Sequence, residues 1–143
     1  MMKTIVTIMS IIAASKLMGH SGMIASIADM FVKLTGSFYP LFSPFLGSIG
    51  SFVTGSGTSA SVLFGGLQAE TANVLNLNSS WLAAANTAGA TAGKMISPQS
   101  IAIAVGATAL ESKENLLLKG VIKYCAIFII LMGIISYFGA QFL

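Results

Sequence analysis

From Tyr124 to Leu143 the chain runs for twenty residues without a charged side chain. No other feature limits the fold as much. A helix rises about 1.5 Å per residue, so a run of this length reaches across the ~30 Å hydrocarbon core of a bilayer. The rest of the chain agrees with that setting. Of its 143 residues, 8% are charged and 55% hydrophobic, whereas a soluble domain carries about 25% charged residues. Charge this sparse does not cover a water-soluble globule. The sequence therefore predicts an all-α membrane protein: one membrane domain over residues 1–143, with a full transmembrane helix at about residues 121–143.

Within hydrocarbon, backbone that is neither helix nor closed sheet survives only where protein or a wet cavity encloses it. Polar interruptions are therefore the informative places. Two stand out. Thr54-Gly-Ser-Gly-Thr-Ser59 is built only of hydroxyl residues and glycines. Thr54, Ser56 and Thr58 are each possible N-caps of a following helix. Such a helix start presents free N–H groups and a positive dipole end, a combination that holds small anions. The second interruption is Gly93-Lys-Met-Ile-Ser-Pro-Gln-Ser100. Pro98 bars helix continuation, and Ser97 or Ser100 can cap a helix over residues 101–110.

Around these breaks the chain reads as follows. A first membrane helix is expected over residues 4–18, preferred over a signal peptide because Lys16 stands where small residues should lead to a cleavage site. Gly19-His-Ser-Gly22 breaks it, and a helix over residues 23–34 follows. Pro40 and Pro44 are expected to break or kink a helix near Phe42. Residues 45–53 then form one arm of a re-entrant hairpin, Thr54–Ser59 its tip, and residues 60–77 the returning helix. Asn76-Leu-Asn-Ser-Ser80 is a turn, with Ser79 or Ser80 as the next cap and Trp81 suited to a membrane interface. From Trp81 to Ala92 almost every residue is small, which lets neighbouring backbones approach closely. Lys113, Lys119 and Lys123 precede the last span, so that end is predicted cytoplasmic and the C-terminus outside.

Charges are few enough to weigh singly. Lys94 is the only one between Glu70 and Glu111. It reads either as a lysine snorkelling to a headgroup or as a cation facing an anionic substrate, beside Asn86, Thr87, Ser97 and Gln99. Glu70 and Asp29 read as solvated acids or, at membrane depth, as proton carriers; Asp29 also has Lys33 at i, i+4. Histidine changes charge near neutral pH, so His20 is a lesser candidate for the same task. One histidine and one cysteine, Cys125, match no metal-ligand or nucleophile–base spacing. Cys125 reads as a packed thiol. No cofactor, metal, catalytic residue or nucleic-acid surface is expected, and enzyme activity is not.

The blocks Thr54-Gly-Ser-Gly-Thr-Ser-Ala-Ser-Val-Leu-Phe64, Gln68-Ala69, Ala84-Ala-Asn-Thr87 and Gly93-Lys-Met-Ile-Ser-Pro-Gln-Ser-Ile-Ala102 resemble the L-lactate permease family. The resemblance runs over nearly the whole chain but over only the C-terminal part of the family. It implies a fragment, a split-gene half or a truncated open reading frame, half of a larger transporter fold in the plasma (inner) membrane. It also implies proton-coupled import of lactate and related 2-hydroxy acids such as glycolate. The substrate carboxylate would be held by Thr54, Gly55, Ser56, Gly57, Thr58 and Ser59, with Asn86, Thr87, Lys94, Ser97 and Gln99 opposite. Glu70 or Asp29 would carry the proton. The expected partners are a small carboxylate, protons, lipid, and either the missing N-terminal portion or a second copy; alone, the chain should insert without transporting. Two rival readings stand beside this one: an accessory membrane subunit whose polar breaks only mediate helix contacts, and a carrier of some other anion.

Overall fold

The computed structural model describes residues 2–108 and 114–142. Those residues form seven α-helices and one 3-10 turn, with no strand among them. Helix α1 spans Met2–His20, longer at both ends than the sequence predicts. It breaks where expected, at Ser21–Gly22, with Gly22 in the left-handed region (φ 73°). Across this break Met9–His20 is bent by 72° from Met23–Thr54, a stretch that opens with α2, Met23–Thr35.

After the 3-10 turn Gly36–Phe38, α3 runs unbroken over Tyr39–Thr54. The expected break near Phe42 is absent. Pro40 lies in the first turn, where its missing donor would have no partner anyway, and Pro44 forfeits a single ladder bond. The first arm of the hairpin is therefore sixteen residues rather than residues 45–53. Helix α4, Gly57–Leu75, begins three residues before the expected start at Ala60. At the next turn the cap is Asn78, not Ser79 or Ser80. Its Oδ1 accepts from the N–H groups of Ser80 (3.0 Å) and Trp81 (3.2 Å). Helix α5 spans Ser79–Ile96, α6 Pro98–Thr108 and α7 Glu114–Phe142. Most of the polar connection at residues 111–115 lies outside the described residues, as does Leu143.

Helix α5 sits at the centre. It lies alongside α3 in the same direction: Ser43 Oγ donates to Leu82 O (2.9 Å) at one end, and Gly93 meets Ser48 at the other. The small residues of both helices bring backbone against backbone. A Cβ added to Gly47 would land on the Asn86 carbonyl, one on Gly89 on the Pro44 carbonyl, and one on Gly93 on the Ser48 carbonyl. Lipid tails give helices no hydrophobic reason to associate, so close packing of this kind supplies the attraction instead. Helices α4 and α7 run antiparallel to α5. Trp81 Nε1 donates to Ser136 O (3.0 Å), and Cys125 Sγ, buried as expected, reaches Ala92 O (3.4 Å). The Trp81 indole thus clasps α7 against α5, where it also abuts Gly139.

The interior is unusually polar. Tyr39 O–H donates to Gln68 Oε1 (3.1 Å), and Gln68 Nε2 to Asn86 Oδ1 (3.3 Å), linking α3, α4 and α5 through buried side chains. Helix α7 shows the opposite pattern. Cys125, Gly133 and Ser136 form its narrow buried stripe, while Ile127, Ile130, Leu131 and Phe138 stand exposed. Its Asn115–Phe142 portion is long and apolar enough to cross a bilayer alone. The expected class, an all-α membrane protein with discontinuous segments, is the one found.

Candidate functional site

At the first predicted break, α3 ends on Thr54 and Gly55 turns the chain in the left-handed region (φ 67°), its N–H bonded to Ser51 O (2.8 Å). Thr54 Oγ1 closes the turn, 2.8 Å from Gly50 O and accepting from Ser56 N–H (3.3 Å). Ser56 is the N-cap of α4; its Oγ accepts from Ser59 N–H (3.3 Å), and its carbonyl from Ala60 N–H (3.1 Å). Among the described residues, the N–H groups of Gly57 and Thr58 have no hydrogen-bond partner, as the first turn of a helix dictates.

The second break is a single residue. Ser97 ends α5 and caps α6 together. Its Oγ donates to Lys94 O (2.8 Å) and accepts from Ser100 N–H (3.3 Å), and its carbonyl receives Ile101 N–H (3.0 Å). Pro98 follows at the first helical position, where its fixed φ suits the helix and its missing donor costs nothing.

The two breaks adjoin. A Cβ on Gly55 would strike Gln99 Oε1 and come within 3.3 Å of Gln99 Cβ. Beside this junction a cleft of about 610 Å³ opens between α4, α5, α6 and α7. The first break contributes Ser56, Gly57 and Thr58; α5 contributes Thr87, Thr91, Lys94 and Met95; α6 contributes Ser100, and α7 Val121. Among the described residues Lys94 is the one charged residue in this lining, on the exposed side of the last turn of α5. Thr87 Oγ1 lies 3.0 Å from Ser61 Oγ, tying α4 to α5 along the cleft wall. Thr87 and Thr91 donate to Ala83 O and Ala88 O; two helix starts, the hydroxyls of Ser56, Thr58 and Ser100 and an ammonium form a wall of donors suited to a small anion.

Of the residues named from the sequence, Ser56, Gly57, Thr58, Thr87 and Lys94 meet around this cleft. Thr54, Gly55 and Ser59 shape the turn behind it. Ser97 is buried at the second break, and Gln99 is set against Gly55. Asn86 lies in the Tyr39–Gln68–Asn86 chain in the core instead. Glu70 is half-buried on α4 and Asp29 exposed on α2; neither lines the cleft. Sequence reading missed Thr91 and Ser100. Thr91 was within reach, because Thr87, Thr91 and Lys94 recur at i, i+4 and i+7 on one helix face.

Helices interrupted between apolar segments define a class first: a helical membrane protein with paired broken helices. The particular family follows from sequence. The profile of the L-lactate permease family matches residues 1–143, so the chain belongs to that family. It is similar to the glycolate permease GlcA of Escherichia coli K12, 43% identical over 136 residues, which is 95% of this chain and 24% of that protein. The L-lactate permease of Bacillus subtilis 168 is 43% identical over 133 residues, 93% of this chain and 23% of its own. That of Streptococcus iniae is 56% identical over 82 residues, 57% of this chain and 17% of its own. The chain thus spans about a quarter or less of the length of these relatives. No solved structure matches it.

Proposed function

We propose that this chain forms one wall of the translocation site of a proton-coupled lactate and 2-hydroxy monocarboxylate symporter, multi-pass in the plasma (inner) membrane. The observation that carries the reading is the junction of the two breaks. Gln99 against Gly55 brings two helix starts and Lys94 around one cleft, in a chain related to permeases named for lactate and glycolate. A carboxylate there would accept from the unpartnered N–H groups of Gly57 and Thr58 and from the hydroxyls of Ser56 and Ser100. Lys94 would balance its charge. Charge-assisted hydrogen bonds of this kind contribute about 1.5–3 kcal/mol each.

The cleft is open on one side, so the opposite wall comes from elsewhere: the portion of the relatives that this chain does not span, or a second copy. The coupled proton is assigned to Glu70 or Asp29. The lysines before the last span support a cytoplasmic side for its N-terminal end. The test is uptake of labelled lactate by a complete permease carrying the equivalents of Lys94→Ala and Ser56→Ala. Each should fall by at least roughly tenfold, and unchanged uptake in both removes the site. The chain expressed alone should insert without transporting; proton-linked uptake in liposomes holding only this chain would show that no second wall is needed.

A further inference from the structure

A second cavity, of about 530 Å³, lies on another side of α4, at the α1–α2 break. Ser15, Lys16 and His20 of α1 line it, facing Ile24 of α2 and Val62 and Gly66 of α4. We infer that this cavity is a second carboxylate site, in which Lys16 supplies a fixed charge and His20 takes up the proton that accompanies the acid. The inference rests on the proposed function only for the class of acid.

Depth is the first argument. Ser15 Oγ donates to Val62 O (3.0 Å), and the neighbouring Ser61 Oγ lies 3.0 Å from Thr87 Oγ1. Thr87 falls midway between Trp81 and Ala92, whose partners on α7 are Ser136 and Cys125. Ser15, the residue before Lys16, is thus held at the level of α4 that meets the middle of α5. An ionisable group at that depth is costly unless it is paired or faces a wet cavity.

The lining is the second argument. Among the described residues it holds two nitrogen bases and no carboxylate. Asp29 and Lys33 of α2 and Glu70 of α4 are not part of it, and Lys94 lines the other cleft. His20 Nδ1 lies 2.9 Å from Lys16 O, a carbonyl, so Nδ1 carries the proton of that bond. That bond leaves Nε2 for a ligand. Lys16 and His20 stand at i, i+4 on one helix face, so a single carboxylate can bridge the ammonium and a protonated Nε2. Anion and proton then enter this second site together, independently of the cleft and of the proton assigned to Glu70 or Asp29.

His20 is the only histidine in the chain, so its ring nitrogens can be followed by NMR in the 15N-histidine-labelled chain in lipid nanodiscs. Adding L-lactate at pH 7 should raise the share of rings protonated on both nitrogens, and the uncharged amide lactamide should not. Lactate should bind roughly tenfold tighter at pH 6 than at pH 8, a difference lost in His20→Gln. Lys16→Gln should weaken binding at this site about tenfold, and Lys16→Arg should restore it. Lys94→Gln should leave the His20 response intact, which separates this site from the cleft. A His20 signal indifferent to lactate in the unmodified chain overturns the inference. So does a response abolished by Lys94→Gln yet retained in Lys16→Gln.

Discussion

The two faces of α5 obey different rules at the same depth. Toward α3, Gly89 and Gly93 remove every side-chain spacer, and the helices touch through their backbones. Toward α4 and α6, Thr87, Thr91 and Lys94 stand on an open cleft, each exposed. Atoms in direct contact have no room to adapt, so the α3 face fixes position. On the free wall Thr87 and Thr91 donate to Ala83 O (2.9 Å) and Ala88 O (2.6 Å), while the Lys94 ammonium keeps its rotamer freedom, so the cleft face is where a ligand can be met. In a bilayer this division matters, because packing rather than water expulsion holds helices together.

Leucine placed on and off the α3 face breaks or sharpens the contrast most strongly. Gly89→Leu must separate α3 from α5 and should cost at least ~3 kcal/mol, read as loss of folded protein in a detergent unfolding assay. Ala84→Leu, exposed on the same helix, should change stability by less than ~0.5 kcal/mol. Equal losses at both positions would mean that the α3 face is no tighter than the rest.

A smaller effect is expected at the junction of the breaks. Gly55→Ala puts a Cβ at φ 67° and into Gln99. It should cost about 1–2 kcal/mol for the backbone alone, plus a further loss from Gln99. In the Gly55→Ala, Gln99→Ala double variant that further loss should vanish, leaving a coupling energy of at least ~0.5 kcal/mol. Strict additivity would place Gln99 away from Gly55. The least effect belongs to the buried polar chain behind both faces. Tyr39→Phe leaves Gln68 Oε1 without its donor and should cost about 1 kcal/mol in the same unfolding assay. No change would mean that the Gln68 amide finds another partner.

Much of this molecule was legible in its sequence because local rules are strong where glycine, proline and hydroxyl residues cluster. Scarce charge and a twenty-residue uncharged run fixed a helical membrane protein. Gly55, Ser56 and Ser97 marked the breaks because a left-handed turn and side-chain caps need those residues. Local rules failed where a neighbour decided the outcome. Pro40 and Pro44 read as a break or kink, yet Pro40 falls in the first turn of α3, and Pro44, inside the helix, costs it a single ladder bond without interrupting it. Asn86 read as a cleft residue, but the side toward which it faces depends on which helix lies beside it, and Gln68 of α4 claims its amide. Which helix faces which, that the two breaks share one cleft, and that Lys16 and His20 meet a cavity beside α4 are matters of long-range placement. Spacing along one helix sets which residues share a face; only packing between helices sets what that face meets.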